Sequence, residues 1–288
     1  MRIAVASGKG GTGKTFVTVN LARSYGKPLL VLDCDVEEPN SNLFLKGDLV
    51  SQRRSTVLVP KVDESLCDGC RVCADACEFN AIVVIAGKPL IFEDLCHSCG
   101  ACATLCPQQA ITEVDHEIGR VTIRQAKQIR LVEGSIDVGK ALAVPIIRDV
   151  KDYADTAKED HVIIDSPPGT SCPMVWTIGD ADMVLLVAEP TAFGLHDLML
   201  AVETVQEVGI PFGVVINKDG LGDDRIDRYC EEKHIGILAR IPHDRRIAQL
   251  YAKGDIVVDA LPSYRTLFGE LWKRIELEVQ SEGTRDDR

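Results

Sequence analysis

The chain has 288 residues, 45% of them apolar and 26% charged, with 32 Lys and Arg against 44 Asp and Glu for a net charge of −12. At roughly 150 residues per domain this length gives about two domains and a core that needs no disulfide staples, which excludes a peptide, a fibre and a disordered tail. The acidic balance argues against non-specific nucleic-acid binding through bulk charge.

Short apolar runs alternate with helical stretches, the pattern of a parallel sheet covered by helices on both faces. The first strand is expected at Arg2–Ala6. It runs into Gly8-Lys9-Gly10-Gly11-Thr12-Gly13-Lys14-Thr15, which fits G-x-x-x-x-G-K-[ST] in the strand-to-helix context that the motif requires. Its glycines let backbone N–H groups converge on phosphates, Lys14 places a charge at the β/γ oxygens, and the Thr15 hydroxyl is suited to Mg²⁺. A helix is expected over about Lys14–Tyr25 and the next strand over Pro28–Asp33, followed by the acidic segment Asp35 to Asn40.

From about Pro60 to Asp115 the rhythm breaks. Eight of the eleven cysteines fall here, with Cys67, Cys70, Cys73 and Cys77 spaced C-x2-C-x2-C-x3-C and Cys96, Cys99, Cys102 and Cys106 repeating that spacing 29 residues later. Each run precedes a strand-like stretch, Ala81–Ile85 and Ala110–Val114. Such clustering points to metal rather than disulfides, and the segment reads as a small insert, 60–115, in a larger domain made of 1–59 and 116–288. Structural zinc is the competing reading, although a zinc ribbon needs no third cysteine two residues on.

Further strands are expected at His161–Asp165, Met183–Ala188, Phe212–Ile216 and Gly236–Arg240. Helices are expected at about Val144–Ala157, Gly194–Val208, Asp223–Lys233, Asp244–Ala252 and Tyr264–Val279. The stripe Leu267, Phe268, Leu271, Trp272, Ile275 belongs to a helix docked on the core, since residues 265–288 carry five basic and six acidic groups and offer anionic lipid little. Six basic residues between Asp223 and Arg246 are matched by six acidic ones, so no DNA-binding patch is expected. With neither a leader pattern nor an apolar run approaching 18 residues, the expectation is a cytoplasmic protein without stable membrane insertion.

The loop S-G-K-G-G-T-G-K-T, with its second lysine at Lys9, resembles the deviant Walker A ATPases, the group of MinD, ParA, the Mrp-type cluster carriers and the nitrogenase iron protein. The resemblance implies a homodimer formed on ATP, with Lys9 crossing the interface to the partner's nucleotide. It also implies that Asp35 orients the attacking water beside Mg²⁺ and that Asp165, ending Val162-Ile163-Ile164-Asp165, is the metal-site acid. Asn217 and Pro242 fall where the family contacts adenine, and Gly220 replaces the aspartate that a guanine-reading N-K-x-D motif needs. The cysteine segment is similar in all eight cysteines to the bacterial two-cluster ferredoxin. That implies Cys67, Cys70, Cys73 and Cys106 on one [4Fe–4S] cluster and Cys96, Cys99, Cys102 and Cys77 on the other.

The expected fold is therefore an α/β P-loop sheet with a small α+β ferredoxin-like insert. The expected function is an Mg-ATP-driven switch that gates electrons through the two clusters to a redox or metallocluster partner. A cluster-assembly ATPase and a positioning or regulatory ATPase with redox-sensing clusters stay open beside it.

Overall fold

The structure is a computed structural model and describes residues 1–283. Among the described residues nine strands form one sheet in the order β11-β10-β9-β1-β8-β2-β7-β6-β3. They are β1 (Arg2–Ala6), β2 (Leu29–Asp33), β3 (Asp48–Val62), β6 (Ile111–Ala126), β7 (Ile129–Ile136), β8 (Val162–Asp165), β9 (Met183–Ala188), β10 (Phe212–Asp219) and β11 (Ile237–Pro242). A separate hairpin pairs β4 (Ile82–Ile85) with β5 (Lys88–Ile91). The helices are α1 (Lys14–Tyr25), α2 (Ser41–Leu45), α3 (Val72–Asp75), α4 (Ala101–Thr104), α5 (Ala143–Thr156), α6 (Cys172–Ile178), α7 (Ala192–Val208), α8 (Arg225–Glu232), α9 (Arg245–Ala252), α10 (Val257–Ala260) and α11 (Pro262–Gly283).

The central strands are apolar on both sides because helices cover both faces. Along β2, Leu30 and Leu32 join one buried cluster with Ile146, Met174 and Leu198, while Leu29 and Val31 join the other with Phe16, Phe268 and Trp272. The C-terminal stripe docks as expected, with the Trp272 indole donating to the Leu21 carbonyl at 2.8 Å. No helix among the described residues is long and apolar enough to cross a membrane.

The expectation of a wholly parallel sheet needs correction. Strands β11 through β7 run parallel, but β6 is antiparallel to β7 and β3 antiparallel to β6. A two-residue turn at Lys127 and Gln128, with Lys127 in the left-handed region at φ 56°, joins β6 to β7 and permits only a hairpin. The outer strand β3 hid from the sequence because its first half, Asp48 to Arg54, is exposed and largely polar, as edge strands are.

The β3–β6 ladder does more than edge the sheet. It begins beside the lower end of β7, reaches the sheet's carboxyl rim near Ser55 and Gly119, and continues to Val62 and Ile111. Those last eight residues carry the pair about 26 Å past the rim. The segment 63–110, with all eight clustered cysteines, sits at its tip, and the boundaries expected at 60 and 115 fall inside β3 and β6.

This cysteine module is folded as two copies of one unit. A shift of 29 residues carries the β4–β5 pairs Ile82↔Ile91 and Ile85↔Lys88 onto the ladder pairs Ile111↔Val62 and Val114↔Val59. Asp63 N–H donates to the Ala110 carbonyl at 2.7 Å, and its counterpart Phe92 N–H to the Ala81 carbonyl at 2.8 Å. Left-handed residues recur at the same shift: Gly69 and Ser98, Arg71 and Gly100, Asn80 and Gln109. The sequence repeat is thus a repeat of backbone conformation, and the module's second hairpin is the upper end of the main sheet.

Candidate functional site

The glycine-rich loop leaves β1 at the carboxyl rim and enters α1 at Lys14. Two glycines are required by space. A Cβ on Gly13, which has φ 97°, would lie 2.3 Å from the Asn217 amide nitrogen, and one on Gly8 would lie 2.0 Å from the Asp197 carbonyl oxygen. The Ser7 hydroxyl donates to the Lys9 carbonyl at 2.6 Å, and Gly169 N–H donates to the Ser7 carbonyl at 3.1 Å, so the loop is tied to the segment after β8.

The strands β2 and β8 lie side by side and end in Asp33 and Asp165, which are paired in register. Asp165 is fully buried and accepts hydrogen bonds from Thr15 at 2.6 Å and Thr18 at 3.2 Å. Asp33, also fully buried, accepts the backbone N–H groups of Asp35, Asn40 and Ser41 at 3.2, 3.2 and 3.0 Å, which fixes the loop carrying Asp35. Burial lifts both carboxyls above the usual carboxylate range, and for Asp33 the neighbouring Asp165 charge adds to it. Asp35 is raised by burial to about 6, with Lys14 pulling the other way. Asp35 and Asp165 therefore share one buried lysine, Lys14, with the buried Asp33 carboxyl beside them, in a site short of positive charge.

The remaining expected residues come to the same rim. Asn217 is buried at the end of β10, where its amide donates to the Thr12 carbonyl at 2.8 Å, so it braces the phosphate loop. Pro242 ends β11 opposite Asp219 and is exposed. Lys9 holds the Asp197 carboxylate of α7 at 3.2 Å, within its own chain. Cys34 and Cys230 are buried, and Cys172 is exposed at the start of α6.

The cysteines divide into two rings. One small cavity is lined by Cys67, Cys70, Cys73 and Cys106, and the other by Cys77, Cys96, Cys99 and Cys102. Each ring takes three thiols from one run and the last from the other. Ala81 N–H points at the Cys77 sulfur at 3.3 Å, Ser98 N–H at Cys96 at 3.4 Å and Ala110 N–H at Cys106 at 3.3 Å. Burial raises the Cys102 thiol to about 11 and lifts Cys73 and Cys96 as well.

Residues joining the two places were not read from the sequence. Val36, next to Asp35, accepts a hydrogen bond from Ile136 N–H at 2.9 Å at the end of β7. Asp137 then pairs with Arg54 of β3, and Lys140 pairs with Asp94 two residues before Cys96. Thr18 was also missed, although its position one helical turn after Thr15 was a usable signal.

A family profile described as the CobQ/CobB/MinD/ParA nucleotide binding domain matches residues 3–257. The chain is 32% identical over 280 residues to the uncharacterized protein MJ0578 of Methanocaldococcus jannaschii, covering 96% of each. It is also 32% identical over 261 residues to MJ0579 of that organism, covering 88% of this chain and 90% of the relative. Among solved structures, the septum site-determining protein MinD of Pyrococcus horikoshii, complexed with Mg-ADP, superposes with a TM-score of 0.59 at 20% identity over 95% of both chains. The chain belongs to the CobQ/CobB/MinD/ParA nucleotide-binding family. Within it, this is an ATP-binding ATPase of the MinD/ParA type.

Proposed function

We propose that this ATPase uses Mg-ATP to gate electron transfer through two [4Fe–4S] clusters held by its cysteine module. The observation that carries the reading is one continuous body of structure. A single buried cluster of side chains runs from Val36 and Ile146 through Ile118, Val57 and Val59 to Ala81 and Cys96, along the ladder whose lower half edges the nucleotide-binding sheet. A displacement of the Asp35–Val36 loop has a packed route to the sulfur ligands.

The donor sets fit the clusters. Each ring is four thiols around a cavity, three from one C-x2-C-x2-C run and the fourth from the other run, the ligand pattern of a two-cluster ferredoxin. Backbone N–H groups aimed at Cys77, Cys96 and Cys106 are the hydrogen bonds that tune such sulfurs. Bound there, the clusters supply one-electron transfer at low potential.

On the nucleotide side, loop N–H groups and Lys14 hold the phosphates, and Thr15 with Asp165 and Asp35 holds Mg²⁺. The surplus of carboxylates supports a cation at this place. Lys9 must leave Asp197 to reach a partner's nucleotide, so closure of the homodimer exchanges one anion for another. The electron acceptor is a redox or metallocluster protein.

The test is a potentiometric titration of anaerobically purified protein, followed by electron paramagnetic resonance with and without a non-hydrolysable Mg-ATP analogue. Eight irons per chain and a nucleotide-dependent shift of tens of millivolts are expected, on the scale of 59 mV per tenfold change for one electron. Absence of iron would refute the cluster reading, and intact clusters without any shift would refute gating by potential.

A further inference from the structure

The two thiol rings are lined by matching positions of the repeat, so their differences can be read one residue at a time. Pro89 beside the first ring corresponds to Pro60 beside the second, and Val72 to Ala101, changes that leave the charge alone. Four other positions differ in kind. Where the first ring has Arg71, the second has Gly100, and where the first has Val84, the second has Glu113. The first is flanked by Gln108 donating to Asp68 at 3.0 Å, whereas at the same two positions the second has Phe79 stacked on His97, centroids 3.7 Å apart and rings 7° from parallel.

Resting on the cluster reading above, we propose that the two clusters are deliberately unequal and that Glu113 makes the one held by Cys77, Cys96, Cys99 and Cys102 the harder to reduce. Taking up one electron makes a cluster more negative, so a neighbouring carboxylate opposes it and a neighbouring guanidinium favours it. Among the residues lining the first ring, Asp68 and Arg71 carry opposite charges, and Arg71 also lies 4.0 Å from Asp75 outside the lining. Among the described residues lining the second there is no Lys or Arg to offset Glu113, whose oxygens lie 3.6 and 3.7 Å from where a Gly100 Cβ would stand. An Arg or Lys side chain at position 100 is absent, so the carboxylate faces the ring directly.

Two further features bear on the sign. The Phe79–His97 stack replaces a hydrogen-bonded polar pair with an apolar cover, which also disfavours added charge. The Ser98 N–H bond to Cys96 acts oppositely, since it favours added charge on the second ring. A full charge outweighs one extra neutral hydrogen bond. Electrons supplied from outside therefore settle first on the cluster of Cys67, Cys70, Cys73 and Cys106, and the second is filled only by a stronger reductant or a change in its surroundings.

The test exploits the repeat. Redox titrations with dithionite-poised mediators, each cluster taking one electron, are run on the full chain as wild type, Glu113→Gln and Val84→Glu, with iron counted in each. Glu113→Gln is expected to make the lower wave about tenfold easier to reduce, a rise of about 59 mV, and Val84→Glu to lower the other wave. Exposure of Glu113 to solvent keeps the change near that size. Unmoved waves at eight irons, or both substitutions moving the same wave, would overturn the inference and leave the cluster reading intact. A wild-type chain without iron would overturn the cluster reading itself. Val84→Glu lies on the separate hairpin and decides the matter alone if Glu113→Gln loses iron.

Discussion

The phosphate-binding loop and the cysteine module differ in what holds each of them in shape. The loop is suspended between β1 and α1, whose Ile3, Val5, Val17 and Leu21 are each 1% exposed or less, and its ends are fixed by packing that involves no ligand. The module buries few side chains, Cys73, Ala81, Ile82, Cys96 and Ala110 with Ile111 at its edge, while Leu66, Phe79, Ile85, Leu90, Phe92, Leu95 and Leu105 stand exposed. So small a core does not offset the entropy of ordering nearly fifty residues, and such domains draw stability from bound metal. One region is built before its ligand arrives, and on the proposed reading the other is completed by it.

The largest effect that would sharpen this contrast is expected from Lys14→Ala. Among the described residues Lys14 is the one buried cation, and it lies beside Asp35 and Asp165, so its loss is expected to lower ATP turnover by roughly a thousandfold or more while leaving iron content unchanged. Steady-state phosphate release and iron analysis on the same preparation check both halves of the statement. Loss of iron in this variant would show that the two regions do not fold independently.

A second experiment breaks the comparison from the other side. Iron removal by a chelator, or Cys73→Ser with Cys102→Ser, is expected to make segment 63–110 sensitive to protease. The sheet and its affinity for nucleotide should persist. Limited proteolysis followed by mass spectrometry reads the first outcome and fluorescent-nucleotide titration the second. A module that stays resistant without iron would mean that the β3–β6 ladder alone suffices to order it.

The smallest effect concerns pH. Because burial raises Asp35 to about 6, the folded protein holds a proton that the unfolded chain has released between about pH 4 and pH 6. Stability without Mg²⁺ and nucleotide therefore falls as pH rises through that window, and the full penalty applies above it. Asp35→Asn is expected to be the more stable protein at pH 7.5 by about 1–2 kcal/mol, a figure reduced for the partial exposure of the carboxyl, and to converge on the wild type below pH 4. Urea unfolding at the two pH values measures the difference.

Much of the site could be read before any fold was known. The Gly8–Thr15 motif, the strand-end Asp165 and Asp35 just past the end of β2 are local signals, since the chemistry of phosphate and metal demands particular residues at short separations. The α1 helix starts and stops at the expected residues for the same reason, between Gly13 and Gly26. Asn217, expected at an adenine, lies at the end of β10 with its amide bonded to Thr12, a contact 205 residues away that no local pattern encodes. Strand β3 escaped because an exposed edge strand lacks the apolar alternation that announces a buried one.

What the sequence determined by itself was chemistry: a phosphate loop, acidic strand ends and eight cysteines in a 29-residue repeat, each specified by residue type and spacing along the chain. Tertiary structure alone decided how these are joined. Pairing of β3 with β6 makes the module's second hairpin an extension of the nucleotide-binding sheet, and the tie from Ile136 to Val36 brings its base to the Asp35 loop. Such relations depend on backbone hydrogen bonds between segments far apart in sequence, and those bonds are indifferent to side-chain identity, so they leave little mark on the residues that make them.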